Sequence, residues 1–232
     1  MNRRTKTSPK LWIVTGVILA LFILPSAIFA NQGIGFSYFL PKEGEGGLGL
    51  GFGLELGFSK LFSVIPRINY FEFDGLHTND EYCNSGWFKT KSLIIDIMGK
   101  LELALGPIHP YALFGGAAIG NLQLKALEGN IDRDFLKNSD LTGENKTLTT
   151  NFTYDNKIGF GYQIGGGIKI FFKKFGINAG ARIYKMKTPI HLRGTYVEAD
   201  ETTNAVVKTY DNPESKILID GILISVGFII KK

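Results

Sequence analysis

Cysteine is nearly absent from this 232-residue chain. A single residue, Cys83, rules out an internal disulfide, the device on which many small secreted domains depend. Histidine is as scarce. His77, His109 and His191 stand far apart, and no Cys/His cluster of the metal-binding kind can be drawn from them. No cofactor is expected. A surplus of charge is missing too, once the first thirty residues are set aside. The formal net charge of +5 owes four positive charges to Arg3, Arg4, Lys6 and Lys10, with no acid in that segment. The remainder holds 22 basic and 21 acidic side chains, a net of +1, which is no electrostatic footprint for nucleic acid. After residue 30 no run of 18 apolar residues occurs, so no helix for an inner membrane is predicted there.

What is present starts with a leader. Basic Met1–Lys10 precedes the apolar run Leu11–Leu24, followed by "PSAIFA", with Ala30 as the last residue before cleavage. This is the layout of a secretory signal peptide over 1–30, and its core of 14 residues is short for a membrane span. Residues 31–232 are then one exported domain.

That domain is governed by alternation. In "GLGLGFGLELG" (47–57), Leu48, Leu50, Phe52, Leu54 and Leu56 alternate with glycine and Glu55. Period two means a strand, and no helix tolerates so much glycine. The stretch contains no GxGxxG, so a dinucleotide-binding loop is not indicated. The glycine face reads as a crowded interior. The same pattern returns at 34–40, 93–103, 158–170 and 177–184. Less regular versions lie at 65–73, 110–124 and 216–230. In the last of these, Asp220 shares a side with Ile222 and Ile224, which predicts a bulge or a position near a membrane interface.

Eight strands result, each with an apolar stripe long enough to cross a bilayer at a tilt. Long strands that are apolar on one face and polar on the other mark a transmembrane β-barrel, whose closure satisfies every backbone hydrogen bond. The predicted fold class is all-β: an eight-stranded antiparallel transmembrane barrel. The connections alternate in length. Those at 59–64, 104–110 and 173–176 are short and assigned to the periplasm; 74–90, 126–156 and 187–215 are long and assigned to the outside, with 41–46 a short exception. Aromatic residues near strand ends suggest interfacial girdles: Tyr70, Phe71, Phe73, Trp87 and Phe88 on one side, and Phe171, Phe172, Phe175 and Phe228 on the other.

"HPYALFGGAAIG" (109–120) and "FGINAGARIYKM" (175–186) each open a strand. They resemble wall strands of the small outer-membrane β-barrel proteins, the group of the OmpA transmembrane domain and OmpX. The resemblance covers most of 31–232 and implies a bacterial outer-membrane location. It also implies contact with outer-membrane lipid and lipopolysaccharide, insertion by the outer-membrane assembly machinery, and ligand binding through the long loops. Such barrels often end in an aromatic residue that this machinery reads; here Phe228 stands four residues short of the end.

Catalytic chemistry finds little support. His191 can be grouped with Ser215 and Glu198 as a hydroxyl, imidazole and carboxylate on the outer wall, but no local spacing favours it. His109, in a turn between prolines, reads as solvated. A non-enzymatic protein is expected. The charges that alternation turns inward are Glu55, Arg67, Lys100, Glu102, Lys169 and Arg182. An eight-stranded barrel is just wide enough to be filled by side chains, and buried charges must pair. The prediction is a plug of ion pairs, in which Glu55 meets Lys100 or Arg182. The favoured role is structural or surface-interacting; a small pore or a carrier for apolar solutes is the alternative, and a lipid A-modifying enzyme a third.

Overall fold

The computed structural model describes residues 30–42, 45–139, 147–199 and 205–230; the signal peptide predicted over 1–30 lies outside them except for its last residue, Ala30. In chain order the elements are β1 (Ala30–Pro41), β2 (Gly47–Gly57), β3 (Phe62–Leu76), β4 (Phe88–Glu102), β5 (Ile108–Ala126), α1 (Glu128–Lys137), β6 (Thr147–Asn156), β7 (Gly159–Phe172), β8 (Phe175–Ala199), β9 (Val206–Asn212) and β10 (Lys216–Ile230). Eight of the strands close a ring in the order β1-β2-β3-β4-β5-β7-β8-β10, and β10 pairs back onto β1 from Gln32↔Ile230 to Pro41↔Gly221. Every pairing is antiparallel, and all eight predicted strands stand in the ring.

The outer wall is apolar over a band of limited height. On β8 the outward row runs from Phe175 to Ile183, and on β10 from Ile222 to Ile230, nine residues each. A tilted strand of roughly 9–11 residues spans a bilayer. Phe36, Leu48, Phe160, Phe172, Phe175 and Phe228 are each at least 60% exposed along this band, which only an apolar surrounding favours. At one end the band stops at the turns after β2, β4 and β7. At the other it gives way to charge: Glu72, Lys185, Lys187 and Asp220 face outward there. Asp220 sits opposite Lys185 in an unbroken β8–β10 register, so its place at the edge of the band explains it and no bulge is needed. The bulges lie elsewhere, at Phe73/Leu76 between β3 and β4 and at Lys91/Ser92 between β4 and β5.

Two of the connections expected as loops carry structure. β8 runs on to Ala199, twenty-five residues, or about 80 Å at the usual rise per residue. Its last third pairs with β6 on one edge and β9 on the other. β6 leads directly into β7 and β9 directly into β10, so this three-stranded sheet is the barrel wall carried past the apolar band. Its inner face bears Leu148, Phe152, Leu192, Tyr196 and Tyr210, and α1 packs there through Ile131 and Phe135. Sheet, helix and residues 77–87 form a cap over the long-loop end of the barrel.

Candidate functional site

The lumen is filled in two layers of opposite character. Near the short turns, Glu55 (β2) and Glu102 (β4) meet Lys100 (β4) and Lys169 (β7). Lys100 bonds both carboxylates, and Lys169 reaches Glu55 at 2.5 Å and Glu102 at 2.7 Å. Two anions and two cations thus neutralise each other, as burial requires. Ser63 Oγ donates to Glu55 at 3.1 Å, and His109 Nδ1 stands 2.7 Å from Glu102. His109 is therefore part of the lumen network, contrary to its reading as a solvated turn residue. The β2–β3 ladder skips Leu54 and Glu55: in that register Leu54 stands opposite Pro66, which has no N–H to donate, and Glu55 opposite Ile65.

One step deeper lies a second group. Arg182 Nη1 donates to Gln163 at 3.0 Å and stands 3.8 Å from Asp96. Asp96 accepts from Asn69 Nδ2 at 2.6 Å and from the Tyr184 hydroxyl at 2.9 Å. The Arg182 guanidinium lies 5.5 Å from the centre of the Tyr184 ring, a cation–π distance. Of the six charges predicted inside, the structure brings Glu55, Lys100, Glu102 and Lys169 together. It sends Arg182 to Asp96 and not to Glu55, and leaves Arg67 outside any ion pair among the described residues. Asp96 was missed as a site residue, although it shares the inward row Ile94, Asp96, Met98, Lys100, Glu102.

Above this level the lumen turns apolar. Phe39, Phe71, Phe73, Ile94, Tyr184, Met186, Ile219 and Leu223 pack into one cluster, continuous with Trp87, Phe88 and Phe135 in the cap. Phe71 stacks on Phe73 at 5.3 Å, and Phe39 meets Phe73 edge-on at 5.4 Å. This corrects the predicted outer girdle: Phe71, Phe73, Trp87 and Phe88 are buried core, and only Tyr70 of that group is exposed. The physical reason is parity. Phe71 and Phe73 follow Arg67 and Asn69 on the inward face, and glycines opposite make the room. A Cβ on Gly49 would come within 2.2 Å of the Phe71 ring, and one on Gly51 within 2.2 Å of Asn69 Oδ1. The glycine row of β2 is the seat of the β3 side chains.

The cap is fastened by one carboxylate. Asp134 Oδ2 of α1 accepts from the backbone of Asn84 (2.9 Å) and Ser85 (2.7 Å), from Ser85 Oγ (2.8 Å) and from Trp87 Nε1 (2.9 Å). Burial acts to raise its pKa, but these bonds outweigh it and hold the carboxyl below its ordinary value. Beside it, burial pushes the Cys83 thiol up to about 11. Tyr210 donates to Asp80, and burial together with that bond raises its pKa. His191 pairs with Asp211 at 2.5 Å, Glu198 with Lys208 at 2.7 Å, and Ser215 is turned inward and fully buried. The hydroxyl, imidazole and carboxylate considered from sequence are not brought together. Among the described residues no group of three or more His, Cys, Asp or Glu side chains is placed to hold a metal ion.

No protein-family model matches the chain, and no curated protein matches it. Solved structures do. The crystal structure of the outer membrane protein OprG from Pseudomonas aeruginosa has a TM-score of 0.56 over 88% of this chain and 96% of its own, at 10% identity. Neisserial surface protein A has a TM-score of 0.46 over 89% of this chain and 98% of its own, also at 10% identity. The likeness to OprG, at that identity, speaks for the fold alone, which is that of the eight-stranded outer-membrane β-barrels.

Proposed function

We propose that this protein is an outer-membrane barrel with a structural or surface-interaction role, in which a closed barrel holds a folded cap at the cell exterior. One observation carries the reading: the lumen is blocked, by ion pairs below and by a closely packed aromatic core above that runs into the cap. An open pore needs a continuous polar path, and the apolar cluster interrupts it. The orientation follows the short turns, which face the periplasm, and the cap, which faces outward. Outer-membrane lipid and lipopolysaccharide surround the wall, the assembly machinery inserts it, and an extracellular ligand is met through the connections 74–90, 126–156 and 187–215, whose described residues build the cap. The signal peptide at 1–30 provides export.

A carrier for apolar solutes is the second reading, favoured by the apolar lining around Phe71 and Tyr184. In the closed structure that lining packs against itself. Reconstitution into planar bilayers separates the two. Silence is the expected result for the full chain and for a variant with 126–156 replaced by a short linker. Steady single-channel conductance from the full chain would sink the closed-barrel reading.

A further inference from the structure

The lumen charges do not balance. Among the described residues the inward-facing ones are Arg67, Lys100, Lys169 and Arg182 against Glu55, Asp96 and Glu102, an excess of one positive charge with histidine neutral. The lower four cancel among themselves, and Asp96 faces Arg182. The excess therefore belongs to Arg67. Among the described residues no carboxylate lies within 4.0 Å of its guanidinium, and its buried Nε has no hydrogen-bond partner. Arg182 is 2% exposed, and its Nη2 also lacks a partner. Both guanidinium groups line one cavity of about 40 Å³, which Asn178, Ser225 and the mutually paired Glu55, Lys100 and Lys169 also border, and Arg67 borders a second of about 20 Å³. Asp96 stands opposite Arg67 in the β3–β4 register as well as 3.8 Å from Arg182, so one carboxylate serves two guanidinium groups. Two like charges held together in a closed lumen, each with a donor unused, require a counter-charge.

We infer that the cavity between Arg67 and Arg182 is a binding site for one small monovalent anion, chloride in size and charge. The size allows it: the larger cavity has room for a halide ion together with water. The charge fits, since one anion brings the lumen to neutrality. The chemistry fits as well, because Nε of Arg67 and Nη2 of Arg182 supply N–H donors without an acceptor of their own. Asn31 and Gln32, at the short-turn end, line the same cavity and mark the side from which an ion enters.

The test uses the full mature chain folded in detergent. Thermal unfolding is followed as sodium chloride or bromide replaces sodium gluconate at constant ionic strength. An anion bound only by the folded state raises Tm with its concentration. The expected result is a rise with either halide that is lost in Arg67→Met, which keeps an apolar stem in place of the arginine's and removes the excess charge. Anomalous diffraction from bromide-soaked crystals of the unaltered protein should place one ion between the two guanidinium groups. That measurement decides the matter even if Arg67→Met does not fold. Equal Tm in chloride, bromide and gluconate, with no bromide peak in the cavity, would overturn the site and leave water as the partner of both arginines.

Discussion

The two halves of the lumen face the same neighbours under the same alternation, yet they are filled by opposite means. Near the short turns, four charges on β2, β4 and β7 hold one another across the barrel. Near the cap, aromatic and aliphatic side chains pack with cavities close to nil. The difference lies in how each half tolerates change. Ion pairs in a closed lumen are stable only as a set, because removing one partner strands the other without water. An apolar cluster loses in proportion to the atoms removed.

The largest expected effect therefore falls in the lower half. Glu55→Leu leaves Lys100 and Lys169 sharing Glu102 alone, and should cost about 3–5 kcal/mol of unfolding free energy in a urea titration. The double variant Glu55→Leu/Lys100→Met restores the balance and should recover more than half of that loss. If the double variant is no more stable than the single one, the four charges do not act as a set. In the upper half Phe71→Ala should cost about 3–5 kcal/mol as well, from a side chain that is 1% exposed, with no partner whose removal repairs it. Repair by a second deletion separates the halves; a similar response in both would erase the contrast.

A smaller effect probes the wall between them. Gly49→Ala puts a methyl group within 2.2 Å of the Phe71 ring and should cost about 1–3 kcal/mol by overpacking. Phe71→Leu in the same chain vacates the space, so the pair should be less destabilised than the sum of the single changes. Strict additivity would mean that the glycine is present for some reason other than room.

The wall was legible because alternation is local. Thirteen residues from Gly47 suffice to assign inside and outside, and Asp96 was readable in the same way from its row. Phe71 and Phe73 were readable too, by parity with Arg67 and Asn69, but their aromatic character drew them to a membrane interface instead. The pairing of charges was not legible. Glu55 and Lys169 are 114 residues apart and meet only because the stagger of the three intervening wall strands, β3, β4 and β5, sets them level. The cap was missed because its signals are short. In α1, Ile131, Asp134 and Phe135 fall on one helical face, and in β6 Leu148, Phe152 and Tyr154 alternate with polar residues, within a stretch whose acidity reads as an exposed loop.

The cap supplies the mildest test, since it can loosen while the barrel stands. Asp134→Ala removes the acceptor of four donors and should cost the cap about 1–3 kcal/mol, with the barrel unaffected. Trp87 is fully buried and is the one tryptophan after residue 30, so its emission should shift to the red, and half-buried Cys83 should react faster with a thiol reagent. Acid should act in the same direction. The Asp134 carboxyl has a lower pKa folded than unfolded, so its contribution is complete above the ordinary aspartate value near 4 and fades as pH falls through the folded value. Trp87 emission should thus hold steady from neutral pH to about 5 and shift below 4, and Asp134→Ala should be shifted at neutral pH with little further change in that range. An acid shift of the same size in the variant would assign the loosening to another group. Unchanged Trp87 emission in the variant at neutral pH would show that apolar packing against Phe135, and not the carboxylate, holds the cap in place.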